Sequence, residues 1–177
     1  MVTKTKELKL NLGCGDRKLE GYLNVDIIKF PAVDKVVDLS KRWPWKTNSV
    51  DEIEASHILE HFTSDKRVHF INEAWRVLKE GSKIKIITPH WASSRAYGDP
   101  THVWPPVSEW FYLYFSKEWR EREAPHTSSM FKCDFEGSHG YILHPEIAAR
   151  NPEFQRFAIS FYKEAAQDMV STLTKKK

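Results

Sequence analysis

Apolar and polar residues alternate in the first half of the chain at the two-residue spacing of a β-strand. The segments with this spacing, or with a short apolar run, are residues 8–12, 22–25, 33–39, 50–56 and 83–88. Every second side chain of a strand faces the same side of a sheet, so each segment is predicted to be a strand. Pro89 ends the last one, because proline has no N–H to donate.

A helix is predicted between the fourth and fifth strands. Thr63-Ser64-Asp65 offers an N-cap, and Gly81 is expected to end the helix. The apolar residues at helical spacing are Val68, Ile71, Ala74, Trp75 and Leu78. Strands that alternate with helices indicate a mostly parallel sheet covered on both faces, with ligands at the carboxyl ends of its strands. The residues expected at that rim are Gly13, Cys14, Gly15, Asp26, Asp38, Ser56, His57, Pro89 and His90.

The regular pattern is lost after residue 90, where Trp, Tyr, Pro and His are frequent. The predicted elements are a short helix at 109–115, strands at 130–135 and 140–143, a helix at 151–162 that Pro152 opens, and a final strand at 167–174. We therefore predict a single domain over residues 1–177. It carries a substrate-side insertion at about 91–128 and a helical insertion at about 147–164.

Composition and charge narrow the class of protein. A chain of 177 residues with 41% hydrophobic content matches one domain with one core. The net charge of +3, part of it in the terminal run 175–177, is too small to indicate nucleic acid as a partner. Cys14 and Cys133 form no C-x-x-C pair and no secretory segment follows Met1, so we expect a reduced, cytoplasmic setting. No apolar run is long enough to predict a membrane span.

The turn after the first strand predicts a nucleotide pocket. Gly13 and Gly15 allow a sharp turn and the close approach of a ligand. Asp26 ends the next apolar run, eleven residues after Gly15, where an α/β sheet places an acid that accepts ribose hydroxyl protons. Lys18 occupies the third glycine position of the dinucleotide fingerprint, which disfavours a pyrophosphate cofactor.

Several motifs in this region resemble one enzyme family. Leu-Asn-Leu-Gly-Cys-Gly at 10–15 and Glu-Gly-Tyr-Leu-Asn-Val-Asp at 20–26 closely resemble the first motif and second strand of class I S-adenosylmethionine (SAM) dependent methyltransferases. The resemblance continues through 37–39, 49–61 and 73–82. The resemblance covers roughly residues 7–90. Within the family, the chain most resembles small methyltransferase domains of the type-11-like group.

The resemblance implies a fold, a cofactor and an activity. The fold is a Rossmann-like, doubly wound, mostly parallel seven-stranded sheet with an antiparallel C-terminal edge strand. The cofactor is SAM, and the methyl group moves to an oxygen or nitrogen of a small-molecule or saccharide acceptor. The residues expected to bind the cofactor are Leu12, Gly13, Cys14, Gly15, Asp26, Ile27, Asp38, Leu39, Ser56 and His57.

Roles within this set also follow from the resemblance. Gly13 and Gly15 would border the methionine moiety, and Asp26 would hold the ribose hydroxyls. Asp38 would face the adenine together with the Leu39 backbone, although Asp-Leu-Ser also favours an ordinary Asx turn. Ser56 and His57 would lie beside the sulfonium.

A sulfonium already activates its methyl group, so the protein has to align an acceptor and remove its proton. Neutral imidazole does this near pH 7, and His90 is the first choice as base, with His102 the second. His61 is expected to have a structural role. Asp99 either orients His102 or forms a turn before Pro100.

Aromatic residues of the aperiodic segment are candidates for the acceptor pocket. Trp91, Tyr97 and Trp104, together with Asp99, are predicted to line it, since aromatic faces bind sugar rings and bases. No metal site is predicted, because histidines and acids in this half of the chain lack short ligand spacings.

Two alternative functions stay open at this point. One is a SAM-binding sensor or interaction module without catalysis, which uses the aromatic segment as a partner surface. The other is an RNA methyltransferase that contacts phosphates through basic side chains. Those side chains are Lys41, Arg42, Arg95, Arg120 and Arg122. Oligomeric state is not addressed by any pattern in the sequence.

Overall fold

A computed structural model describes residues 7–177, and within them one seven-stranded sheet has the order β3-β2-β1-β4-β5-β7-β6. The strands are β1 (Lys9–Leu12), β2 (Leu23–Asp26), β3 (Lys35–Val36), β4 (Val50–Ser56), β5 (Leu78–Pro89), β6 (Phe135–Leu143) and β7 (Ala166–Lys175). Strands β1 to β5 pair in parallel, whereas β7 runs antiparallel between β5 and β6. This arrangement confirms the predicted Rossmann-like fold with its antiparallel C-terminal edge.

The helices lie mainly in the second half of the chain. They are α1 (Ser64–Val77), α2 (Arg95–Gly98), α3 (Glu109–Leu113), α4 (Lys117–Glu123), α5 (Pro145–Ala148) and α6 (Pro152–Phe161). Helices α2 to α4 occupy the segment between β5 and β6, and α5 and α6 the segment between β6 and β7. Among the helices of residues 7–177, none has the length and apolar character needed to cross a membrane.

The hydrophobic core lies on one face of the sheet. Leu10, Ile53, Ile84 and Leu173 occupy matched positions on β1, β4, β5 and β7, and all are buried. Phe70 of α1 packs into the same cluster. Removing these side chains from water is the main stabilising term of the fold, at about 25 cal/mol per Å² of apolar surface.

The opposite face of the sheet is polar, which corrects one expectation. Lys9, Glu52 and Lys85 alternate with the core residues and keep contact with water. Residues 13–49 contain no helix, so the strands β1 to β4 follow one another through turns and loops. The predicted helical cover of both faces is therefore wrong here, because strictly alternating strands have only one apolar face to bury.

Long-range strand pairing overrides several local signals. Helix α1 ends at Val77 rather than at Gly81, and Leu78 already pairs with Val50. The strand predicted at 33–39 is reduced to β3. Residues 130–134 are not a strand, because their backbone bonds go to the side chains of Asn72 and Arg120.

Candidate active site

A cavity of 430 Å³ lies at the carboxyl ends of β1, β2 and β4. It contains seven of the ten residues expected to bind a cofactor and six that were not expected. The first group is Gly13, Gly15, Asp26, Ile27, Asp38, Leu39 and His57, and the second is Ile28, Phe30, Val37, Ile58, His61 and Phe62. We call this space the rim pocket.

Leu12, Cys14 and Ser56 do not line the rim pocket. The side chain of Leu12 belongs to the core, and Cys14 is also buried. Burial also raises the pKa of the Cys14 thiol, so reactive thiolate chemistry is disfavoured there. Ile58 and Phe62, two of the unexpected residues, lie in the segment that follows β4. Their apolar side chains in a segment predicted to lie at the rim were the only signal for them in the sequence, and it was too weak to identify either residue.

The turn after β1 adopts backbone angles that favour glycine. Gly13 has φ +66° and Gly15 has φ +50°. At Gly13 there is also no space for a side chain, because a Cβ there would lie 2.6 Å from Cδ1 of Ile58. Gly15 donates its N–H to Oδ2 of Asp26 at 2.9 Å, which joins the turn to the end of β2.

Gly13→Ala is expected to lower the free energy of unfolding by about 1–2 kcal/mol through the left-handed backbone alone. The contact with Ile58 adds to this cost and moves the turn that borders the rim pocket. Gly21→Ala is the matched control, since Gly21 has φ +82° but open space around the added Cβ. Denaturant unfolding of both variants measures the difference, and equal losses would contradict a packing role for Gly13.

Asp26 is held in place by two backbone donors. Its Oδ2 accepts from Gly15, and its Oδ1 accepts from the N–H of Ile28 at 2.9 Å. A carboxylate has about four lone-pair positions, so both oxygens retain acceptor capacity toward the rim pocket. Asp38 forms the Asx turn that was its alternative reading, with Ser40 donating to Oδ1, and these bonds lower its pKa.

His57 begins the loop after β4 in the left-handed conformation, with φ +55°. This conformation is uncommon outside glycine and often marks functional positions. The ring Nδ1 lies 3.1 Å from Oε1 of Glu60, and Nε2 lies 3.9 Å from Oδ2 of Asp168. The hydrogen bond with Glu60 raises the pKa of His57. The imidazole is partly exposed and contributes to the wall of the rim pocket.

Two buried carboxylates lie next to His57. Glu60 and Asp168 are both almost fully buried. Arg95, on the first turn of α2, donates to Oδ2 of Asp168 at 2.8 Å. The remaining oxygens, Oε2 of Glu60 and Oδ1 of Asp168, have no hydrogen-bond partner among residues 7–177. Unpaired buried carboxylate oxygens are costly, so this part of the molecule favours a cationic or hydrogen-bond-donating ligand.

His90 does not have the geometry of a proton acceptor. It is only 2% exposed. Its Nδ1 accepts from the N–H of Ala92 at 3.3 Å, so Nε2 carries the proton and donates to Oε1 of Glu109 at 3.1 Å. Both ring nitrogens are therefore engaged inside the protein, and His90 anchors the start of the segment that follows β5.

Glu109, the first residue of α3, connects this helix to β6 and to the segment that follows β5. It accepts hydrogen bonds from His90, Trp91 and Tyr141. Burial alone would raise the pKa of Glu109, but the bonds from His90, its own backbone and Tyr141 outweigh burial and lower it to about 2. A depressed carboxyl pKa contributes stability above its ordinary value and loses it as the pH falls.

The wild-type protein is therefore expected to lose stability between pH 4.5 and about 2 as Glu109 becomes protonated. Glu109→Gln should be less stable than the wild type at neutral pH, and the difference should shrink as the pH falls. Urea unfolding across this range measures it. Glu118→Gln, at an exposed position of α4, is the control. A difference that does not depend on pH would contradict the ionic role of Glu109.

Trp91 and Tyr97 line a second cavity, of 440 Å³, together with the end of α6. The hydroxyl of Tyr97 donates to the backbone carbonyl of Trp91 at 2.9 Å, which connects the Tyr97 side chain to the start of this segment. The other side of the cavity is formed by α6 and the two residues after it, none of which was among the predicted site residues. They are Ile159, Ser160, Phe161, Tyr162 and Lys163. We call this space the aromatic pocket.

The other two acceptor candidates lie outside the aromatic pocket. Trp104 is 75% exposed, and its ring lies 6.3 Å from that of Tyr97. Asp99 accepts from the N–H and hydroxyl of Thr101, so it forms the turn that was one of its two readings. Its Oδ2 stays 4.0 Å from Nε2 of His102, beyond hydrogen-bond distance.

The basic residues proposed as a phosphate surface are not all available for it. Arg120 is buried and donates to the carbonyls of Tyr114 and Cys133. Arg95 is paired with Asp168. One of the five cations is thus buried and a second is paired with a buried carboxylate, which weakens the reading as an RNA-binding enzyme.

Comparison with known proteins supports the fold. No family model matches the sequence, and no curated protein matches it. Among solved structures, a SAM-dependent methyltransferase from Archaeoglobus fulgidus superposes with a TM-score of 0.67 at 16% identity, over 97% of this chain and 87% of that one. One from Methanosarcina mazei gives a TM-score of 0.58 at 14% identity, over 97% and 94% of the two chains.

A third structure contains bound ligands. The 1,6-didemethyltoxoflavin-N1-methyltransferase of Burkholderia thailandensis, with S-adenosylhomocysteine (SAH) and its substrate, has a TM-score of 0.58 at 12% identity. The match covers 96% of this chain and 71% of that one. Together these structures confirm that the chain has the fold of the SAM-dependent methyltransferases.

Proposed function

We propose that this protein is a SAM-dependent methyltransferase that acts on an oxygen or nitrogen of a small-molecule acceptor. The observation that carries the proposal is the rim pocket, where the Gly13–Gly15 turn and Asp26 meet at the ends of adjacent parallel strands. Sheets of this type bind nucleotide ligands at this edge. Proteins of the same fold have been solved with SAM or SAH bound.

The rim pocket has suitable chemistry along its length for SAM. The free lone pairs of Asp26 accept the two ribose hydroxyl protons. Apolar side chains such as Ile27 and Phe62 offer contact surface to the adenine ring. At the other end, beside His57, the buried carboxylates of Glu60 and Asp168 provide negative potential where a positively charged sulfonium would lie.

The aromatic pocket is the proposed acceptor site. The row His57, Asp168 and Arg95 extends from the wall of the rim pocket to α2, whose Tyr97 lines the aromatic pocket. The rings of Trp91 and Phe161 suit a planar or sugar ring, because ring faces pack on both. A saccharide acceptor is one member of this class.

His57 replaces His90 and His102 as the proposed proton acceptor. Its Nδ1–H donates to Glu60, which leaves the Nε2 lone pair free. During transfer, the acceptor oxygen or nitrogen forms a bond to the methyl carbon while the sulfonium bond breaks and SAH leaves as a neutral thioether. The acceptor proton moves to Nε2 of His57, and Glu60 stabilises the imidazolium that results.

Calorimetry with SAM and SAH tests the cofactor assignment. We expect one site with micromolar or tighter affinity, and absence of binding by both compounds would refute the proposal. Turnover of methyl-labelled SAM in the presence of pooled small metabolites tests catalysis. Binding of SAM without transfer to any acceptor would instead support the sensor alternative.

A further inference from the structure

We propose that Glu60, His61 and His102 form a binding site for a divalent transition-metal ion beside the rim pocket. One ligand atom from each residue lies within 4.8 Å of the other two. Ligand atoms in a tetrahedral site with bonds of about 2.0 Å lie about 3.3 Å apart, so a small inward movement closes the site. Two imidazoles and one carboxylate suit Zn²⁺, Mn²⁺ or Fe²⁺ better than Ca²⁺.

The protonation of both imidazoles is set by neighbouring groups. The hydroxyl of Thr101 donates to Asp99 at 2.6 Å, so its oxygen must accept from Nδ1–H of His61 at 3.0 Å. His102 donates Nδ1–H to the carbonyl of Ala96 at 3.2 Å. Both histidines therefore present an unprotonated Nε2. Metal-binding histidines are typically oriented in this way, by a bond from the opposite nitrogen.

The third group is a carboxylate oxygen that needs a partner. Glu60 is 4% exposed. Its Oε1 binds His57, but its Oε2 is buried and has no hydrogen-bond partner in the described part of the chain. A buried carboxyl oxygen without a partner is unfavourable in a native protein. A cation between Glu60 and the two imidazoles would satisfy it.

The protein holds the three groups together although His102 comes far later in the chain. The N–H of Val103 donates to the carbonyl of Glu60 at 2.8 Å. Arg67 is buried and donates to the carbonyls of Leu59, Val103 and Pro105. His61 is exposed, which gives an ion a path from solvent. This fixation suits an ion site better than two surface histidines that meet by chance.

The site borders the rim pocket through His61. Three protein ligands leave coordination positions open, and an acceptor oxygen is the ligand that would fill one of them during methyl transfer. That role rests on the proposed function. Metal binding itself depends only on the three side chains, so the two statements are tested separately.

Calorimetric titration of chelator-treated, full-length protein with ZnCl₂ and MnCl₂ tests the site. We expect one ion per chain for the wild type, and at least a tenfold weaker affinity for Glu60→Gln and for His102→Gln. His126→Gln is the matched control, because His126 is exposed on the turn Pro125–Thr127. It should bind as the wild type does. Circular dichroism and thermal melting establish that each variant is folded.

Thr101→Val provides a second test that a merely structural contact would not pass. It removes the acceptor that fixes the His61 tautomer, so we expect the metal affinity to fall by about tenfold while the fold is kept. Wild-type protein that binds neither ion, or folded Glu60→Gln and His102→Gln that bind with wild-type affinity, would overturn the site. SAH titrations of the same samples report on the cofactor proposal independently.

Discussion

Asp26→Ala is expected to weaken SAH binding by roughly 30- to 1,000-fold. The variant loses two hydrogen bonds between a carboxylate and the ribose hydroxyls, which together are worth about 2–4 kcal/mol. It also releases the N–H groups of Gly15 and Ile28, so the turn that borders the pocket becomes less ordered. Isothermal titration calorimetry with SAH measures the change directly, without the need for a known acceptor.

Asp16→Ala is the control for this experiment. Asp16 lies in the loop that follows the glycine turn, but it is exposed and does not line the rim pocket. Asp16→Ala removes the same charge from the same region as Asp26→Ala does. Because Asp16 does not contact the rim pocket, the affinity of this variant for SAH should change by less than about threefold. If Asp26→Ala binds SAH as tightly as Asp16→Ala does, the carboxylate of Asp26 does not hold the ribose and the placement of the cofactor is wrong.

His57→Gln is expected to lower the rate of methyl transfer by roughly 10²- to 10⁴-fold, the usual contribution of a general base. Glutamine retains a polar side chain near Glu60 but has no imidazole nitrogen to accept a proton. Binding of SAH should change only a few-fold, because ring contact is a small part of the rim pocket. Transfer of labelled methyl groups to the acceptor pool at saturating SAM gives the rate.

His126→Gln again controls for the loss of an imidazole, and its turnover should equal that of the wild type. His90→Gln distinguishes the two readings of the site. Because both ring nitrogens of His90 are hydrogen-bonded, to Ala92 and to Glu109, we expect His90→Gln to lower the free energy of unfolding more than it lowers the rate of methyl transfer. If His57→Gln keeps its affinity for SAH and transfers methyl groups at the wild-type rate, His57 is not the base.

Most of the fold could be predicted from the chain, for a local reason. Alternation in Leu8–Leu12 and residues 50–56 determines which side chains share a face of a strand, and β4 has the predicted bounds. The prediction that helices cover both faces was wrong because it was drawn from the order of strands and helices, whereas Lys9 and Lys85 make the second face polar. Residues 130–135 were predicted wrongly because side chains distant in sequence take up their backbone hydrogen bonds.

The sequence by itself determined the glycine turn, the acid at the end of β2 and the rim at which they meet, because positive φ angles and strand ends depend on neighbouring residues. Only the tertiary structure decided which histidines are free. His90 is hydrogen-bonded to Glu109, whereas Arg67 binds the backbone carbonyls of Glu60 and of Val103, the residue after His102. Burial and hydrogen-bond partners are properties of packed surroundings, and residues distant in sequence acquire them only when the sheet and its loops have assembled.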